Sequence, residues 1–222
     1  MNIAGIEKLS LLNYPGNLSF VIFTRGCNWN CSYCHNRHIL SDEGRKYDLT
    51  KILNYIDENR TKFDGVVISG GEPLLQKDIV SVIDLIKSKN LLVKLDTNGS
   101  YPEILEFLLK TNRVDYVAID IKGSEITYPL ITNTKVDFNN ILYSVDLLKH
   151  GSIPYEFRTT IIPEFHTEED FMRILSIVDG AENYFIQKYR QQEGNFTEPS
   201  DELMNKYFHL AETHVKNVVI RG

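Results

Sequence analysis

The sequence has 222 residues, 42% of them apolar and 24% charged, with a formal charge of -6. That length suits one substantial core, and the acidic balance opposes attraction to phosphate backbones, so nucleic acid is set aside as a partner. No apolar stretch reaches membrane-spanning length, and Met1-Asn2-Ile3-Ala4-Gly5 lacks the basic start and apolar run of a secretory signal, so residues 1–222 are expected to form one domain in the reducing cytoplasm, off the membrane.

The segment Ile3 to Pro15 precedes the first repeating unit and is expected to form a short hairpin. From there β-branched runs alternate with segments of helical period, the pattern of βα units around a parallel sheet. Strands are predicted over Leu18 to Thr24, Val66 to Ser69, Leu91 to Thr97, Tyr116 to Ile121, Tyr155 to Ile162 and Tyr184 to Lys188, with a further one at Val218 to Ile220. Apolar residues fall at i, i+3, i+4 and i+7 in Leu49, Ile52, Leu53 and Ile56, in Ile79, Val82, Ile83 and Ile86, and in Phe171, Ile174, Leu175 and Val178, so each set makes one stripe to lie on a sheet. Thr167 opens the third of these helices, and Ser200 opens a last one expected to run to about His214. Six units are too few for a closed eight-fold barrel of ~250 residues. The expected fold is therefore α/β, a partial (β/α)6 barrel with a short N-terminal hairpin. Gln191 to Pro199, with Gly194 inside it, reads as a loop.

All three cysteines lie in Cys27-Asn28-Trp29-Asn30-Cys31-Ser32-Tyr33-Cys34, directly after the first strand. An odd number of thiols in one short cluster is not a disulfide framework. Three thiolates with no fourth suit an open 4Fe-4S cluster, and zinc with His35 or His38 as a fourth ligand is the alternative. Trp29 is placed to shield such a metal or to meet a partner. At the end of the second strand, Ser69-Gly70-Gly71-Glu72-Pro73 combines two glycines that allow close backbone approach with a glutamate able to accept from an ammonium group. Asp96-Thr97-Asn98-Gly99 ends the third strand and Asp120-Ile121-Lys122 the fourth, which puts Asp96 and Asp120 on the cysteine rim as ligand or cation contacts. Arg158 shares a strand face with Thr160, pointing either inward as a carboxylate clamp or outward as a surface charge, and Gln187 is a weaker case of the same kind.

The CxxxCxφC triplet with Tyr33 as its aromatic, followed by GGEP, resembles the radical S-adenosylmethionine enzymes. The resemblance implies that Cys27, Cys31 and Cys34 hold a 4Fe-4S cluster whose open iron binds S-adenosylmethionine, and that Gly70, Gly71 and Glu72 hold its amino group. It further implies that Tyr33, Thr97, Asn98, Asp120, Lys122 and Arg158 contact the cofactor, and that Asp96, Thr97 and Asp120 bind a monovalent cation beside it. Tyr33-Cys34-His35-Asn36 is similar to the glycyl-radical-enzyme activases. Ile3-Ala4-Gly5-Ile6, Leu12-Asn13-Tyr14-Pro15-Gly16, Phe157 to Pro163 and Ile220-Arg221-Gly222 are similar to the activating proteins of anaerobic ribonucleotide reductases, with Asn13 where an aspartate is expected and Arg37 where many activases have proline. The implied reaction is one-electron reduction by a flavodoxin or ferredoxin, cleavage of S-adenosylmethionine, and hydrogen abstraction from a glycine Cα of the reductase. Pyruvate formate-lyase as the target, a small-molecule enzyme such as 7-carboxy-7-deazaguanine synthase, and a plain metal or electron-transfer module are the competing readings.

Overall fold

The computed structural model describes residues 1–41, 44–191 and 196–222. Gly194 of the expected loop lies outside them. The described chain divides into two compact units, one of Met1–Asn28, Asn36–Thr97 and Tyr101–Val117, the other of Trp29–His35, Asn98–Ser100 and Ala118–Gly222.

In the first unit β1 (Ile3–Ser10) pairs antiparallel with β2 (Ser19–Thr24), and β2, β3 (Gly65–Gly70) and β4 (Leu92–Thr97) pair in parallel. The expected N-terminal hairpin is present, but only its first arm lies within Ile3 to Pro15; the second arm is β2. The first arm uses the edge of β2, and the turn at residues 11–17 brings it there. Helices α1 (Leu49–Glu58), α2 (Ile79–Lys87) and α3 (Pro102–Lys110) follow β2, β3 and β4 in turn. Asp48 starts α1 by accepting from the Thr50 and Lys51 amides, which satisfies donors that the first turn leaves open. The predicted stripe of α2 is buried at all four positions, and Val66, Val67 and Ile68 of β3 are fully buried, as continuous apolar parallel strands are when covered on both faces. Phe20 sits between Tyr55 and Phe63, with 5.8 Å between ring centroids in each pair.

β5 (Tyr116–Asp120) begins in the first unit and ends in the second. The second unit continues with α4 (Tyr128–Thr132), α5 (Phe138–Lys149), β6 (Tyr155–Ile161), α6 (Glu168–Val178), β7 (Asn183–Lys188), α7 (Asp201–Ala211) and β8 (Asn217–Arg221). Strands β6, β7 and β8 are parallel neighbours in that order. From β2 to α7 the chain therefore runs through six strand-helix repeats, the α/β class the sequence predicts. The last helix stops at Ala211, three residues short of the predicted end, because residues 212–214 close it in a turn. The C-terminal Arg221 lies over the Phe185 ring at 3.4 Å and reaches the fully buried Glu156 at 3.3 Å, so the end of the chain is structural.

Phe171 of α6 stacks on Tyr207 of α7 with centroids 4.1 Å apart and planes 5° from parallel. Phe171→Ala empties a fully buried site and is expected to lower unfolding free energy by about 3–5 kcal/mol, read as a lower urea midpoint with unchanged slope.

Candidate functional site

The root of the cysteine loop is fixed by the Gly-Gly-Glu turn. Gly70 has φ +113°, and a Cβ there would collide with the Thr24 backbone, while one at Gly71 would fall on the Gly26 carbonyl. The Gly71 amide donates to the Thr24 carbonyl at 3.0 Å and the Glu72 amide to that of Gly26 at 2.9 Å. The close approach that two glycines permit is thus made to the segment leading into Cys27. Gln76 adds a bond to the Arg25 carbonyl at 2.9 Å, and the Gly26 amide donates to the Ile39 carbonyl at 2.8 Å. Glu72, fully buried, accepts through Oε1 from the Leu74 amide (2.9 Å) and from Thr97 Oγ1 (2.8 Å). It caps the short 3-10 turn at Pro73–Leu75 and ties it to the end of β4. Tyr101 belongs to the same neighbourhood: burial, then the negative charge of Glu72 and Cys27, raises its phenol above the ordinary value.

Cys31 and Cys34 are held by the second unit. The Cys34 amide donates to the Cys31 carbonyl at 3.2 Å, closing a turn between the two thiols. The loop is pinned to α4: the Asn30 amide donates to the Thr132 carbonyl (3.0 Å), the Ser32 amide to that of Ile131 (2.9 Å), and Asn133 Nδ2 to the Asn30 carbonyl (3.0 Å). These contacts satisfy carbonyls that the end of a helix leaves without partners. Trp29 is 5% exposed and meets Tyr128 edge-on at 5.6 Å, so its indole is held inside rather than offered to a partner. Tyr33 is buried in an apolar cluster with Ile131, Ile162 and Tyr189, and its hydroxyl has no hydrogen-bond partner among the described residues.

Among the charged residues predicted for the rim, Asp96, Asp120, Lys122 and Arg158 each have a counter-charge. Asp120 receives Arg158 Nε on Oδ1 at 2.7 Å and Lys122 Nζ on Oδ2 at 3.1 Å. Burial alone pushes its carboxyl up, but these two cations hold it well below the usual carboxylate range. Conversely, burial lowers the Lys122 ammonium while Asp120, with Tyr33 and Cys31, keeps it well above its ordinary value. Burial also raises the Cys31 thiol, and Lys122 opposes that rise. Arg158 therefore points to Asp120, and Thr160 on the same face donates to Gln187 Oε1 at 3.2 Å. In the first unit Asp96 accepts from Ser69 Oγ at 3.0 Å and pairs with Lys94, a residue 1% exposed that the sequence reading missed. Strand alternation was the available signal, since Lys94 and Asp96 stand two apart on one face of β4. Asn98 accepts from the Ser100 amide (2.9 Å) and hydroxyl (2.6 Å), shaping the turn that Gly99 makes at φ +78°.

His166, which stands just before α6 and reads in the sequence as a surface or capping residue, is instead buried and braces Lys122. Its Nδ1 accepts from the Ile162 amide at 2.9 Å, which leaves the proton on Nε2 to donate to the Lys122 carbonyl at 2.8 Å.

The donors fit a cluster. Three half-buried thiols, none of them in a disulfide, stand within eight residues of chain, and the Lys122 ammonium near Cys31 suits an anionic metal-sulfur group. His38 lies exposed in the 3-10 turn Arg37–Ile39 and His35 packs its ring by that of Tyr189 at 5.5 Å. Among the described residues no three His, Cys, Asp or Glu side chains are gathered as a metal group, so the donor set rests on sulfur chemistry and spacing.

Gly71→Ala is expected to destabilise the loop root, lowering Tm and loosening the cysteine loop, with amide exchange at Glu72 as the local readout. His166 gives a pH signature. Burial, opposed by its Lys122 bond and by Asp170, sets its folded-state pKa below the ordinary ~6.5. The stability this contributes is complete above about pH 6.5 and is lost as pH falls toward the folded-state value. His166→Gln should flatten that part of the Tm profile; an unchanged slope would show that His166 does not carry it.

Residues 21–178 match the Radical SAM superfamily. A Methanocaldococcus jannaschii protein that carries the name of a glycyl-radical enzyme activating enzyme is 36% identical over 230 residues, covering 99% of this chain and 95% of that one. The pyruvate formate-lyase-activating enzyme of Clostridium pasteurianum is 30% identical over 195 residues, covering 82% of this chain and 77% of that one. A solved domain of a pyruvate-formate lyase-activating enzyme from Bacteroides vulgatus ATCC 8482 superposes with a TM-score of 0.60 at 16% identity, over 71% of this chain and 99% of the domain, a likeness of fold alone. With a family match across most of its length and an activating-enzyme relative aligned nearly end to end, the chain belongs to the radical SAM superfamily, in the group of glycyl-radical enzyme activating enzymes.

Proposed function

We propose that this chain activates an anaerobic (class III) ribonucleotide reductase by generating a glycyl radical on it. The observation that carries the reading is the three-thiol loop, braced at its root by the Gly70-Gly71-Glu72 turn and beyond it by α4. Cys27, Cys31 and Cys34 would hold the 4Fe-4S cluster. When bound, the cluster and S-adenosylmethionine supply a one-electron reductive cleavage to methionine and a 5'-deoxyadenosyl radical, which takes hydrogen from a glycine Cα of the partner.

The chain's own residues bind, orient and exclude water. Gly70, Gly71 and Glu72 are the candidates for the amino group of S-adenosylmethionine, and the Arg158 guanidinium and Lys122 ammonium, aligned by Asp120, are suited to its carboxylate. Thr97 orients Glu72 through its hydroxyl, Asn98 shapes the neighbouring turn, and Tyr33 closes an apolar wall beside Cys31 and Cys34. The reductant is a flavodoxin or ferredoxin. The chain has three cysteines in all, which leaves no ligands for a second cluster. Its place is the cytoplasm, where thiols stay reduced; no helix of the described residues is long and apolar enough to cross a membrane.

The reductase is favoured as partner by the terminal strings. Tyr14 is buried against Val21, Val67 and Tyr116, and Arg221 is anchored to Glu156, so both strings are built into the fold. Asn13 Nδ2 donates to Ser10 Oγ at 2.8 Å and to Glu7 Oε2 at 3.2 Å, a contact that an aspartate would turn into repulsion.

The test is electron paramagnetic resonance on the anaerobically reconstituted, reduced protein with S-adenosylmethionine and either a class III ribonucleotide reductase or pyruvate formate-lyase. A glycyl doublet is expected with the reductase and absent with Cys31→Ala. A doublet with pyruvate formate-lyase alone moves the assignment to that partner, and cofactor cleavage with neither points to a small-molecule substrate.

A further inference from the structure

Lys94 is a lysine with almost no solvent, and nothing in the proposed reaction uses it. It is 1% exposed, Asp96 7%. A charge so placed is tolerated only with a partner, and the Lys94 ammonium sits on Asp96 Oδ1, with the Tyr116 ring 5.6 Å away. The other oxygen of Asp96 receives Ser69 Oγ at 3.0 Å. Both oxygens of this carboxylate therefore already accept from groups of the chain. In the second unit Asp120 is in the same condition, with Arg158 on one oxygen and Lys122 on the other.

Asp96 and Asp120 are the carboxylates that the family resemblance assigns to a monovalent cation. The residues present do not fit one. A sodium or potassium ion at Asp96 would share one carboxylate with an ammonium group in a poorly solvated place, where like charges repel strongly. We propose that Lys94 is a built-in counter-cation: its ammonium stands at Asp96 in place of an ion from solution, and this chain neither binds nor requires potassium or sodium there. Only the consequence for the cofactor rests on the function proposed above, namely that S-adenosylmethionine affinity does not depend on the monovalent cation present.

The test titrates the reconstituted protein with thallium(I), followed by its magnetic resonance line, and compares melting in potassium, sodium and choline salts at equal ionic strength. Wild type is expected to bind no stoichiometric thallium and to melt alike in all three salts. Lys94→Gln, which keeps a polar chain end and loses the charge, is expected to gain one potassium-competed thallium site and potassium-specific stabilisation. One thallium per wild-type chain, displaced by potassium, overturns the proposal, as does a folded Lys94→Gln protein that gains no site. If the variant does not fold, the wild-type titration decides alone. Equilibrium dialysis of S-adenosylmethionine then separates the two claims: equal affinity in potassium and choline is expected, about tenfold weaker binding in choline contradicts the counter-cation, and no binding in any salt contradicts the cofactor while the thallium result stands.

Discussion

A buried charge must be paired, and the polar side of this protein follows from that constraint. Three carboxylates predicted as ligand contacts, Glu72, Asp96 and Asp120, each accept from groups of the chain itself. The Asp120 pairing with Arg158 and Lys122 matters most, because removing one member would leave the others as charges only partly reached by water. Lys122 of this pairing also opposes the rise that burial imposes on the Cys31 thiol. His166 extends the network by one step, fixing the backbone of Lys122 through a neutral imidazole whose tautomer is set by the Ile162 amide.

The second constraint is steric. The two adjacent glycines bring β3's end against the Thr24 to Gly26 backbone so closely that no Cβ fits, and the bonds this allows fix the segment from which Cys27 emerges. On the far side of the loop, α4 spends its terminal carbonyls on the Asn30 and Ser32 amides. A loop carrying three thiols is thereby tied to regular structure at both ends, as a site that must hold its geometry requires.

The six βα units were legible because covered parallel strands are continuous β-branched runs and the helices between them carry apolar stripes of the right period. The cysteine triplet and the Gly-Gly-Glu turn were legible as local strings. What the sequence hid was non-local. That Gly71 faces Gly26 is invisible until β2 and β3 are set side by side, so its glycines read as room for a ligand. Helix α4 is five residues long, too short for a periodic signal, and its meaning lies in the loop it holds. Lys94 was within reach, since alternation along β4 puts it beside Asp96, but a lysine in a strand reads as a solvated charge until burial is known. His166 looked like a residue ahead of a helix because its two partners come from different segments of the chain.

The function proposed for this chain depends on its holding a reducible cluster that cleaves S-adenosylmethionine. The most direct measurement is anaerobic chromatography of products after reduction of the reconstituted protein with S-adenosylmethionine alone. Methionine and 5'-deoxyadenosine are expected in equal amounts, dependent on iron, sulfide and all three cysteines. Protein that carries a full complement of iron and sulfide yet leaves S-adenosylmethionine intact under reduction, or that cleaves it equally well without Cys27, Cys31 or Cys34, would contradict the proposed function.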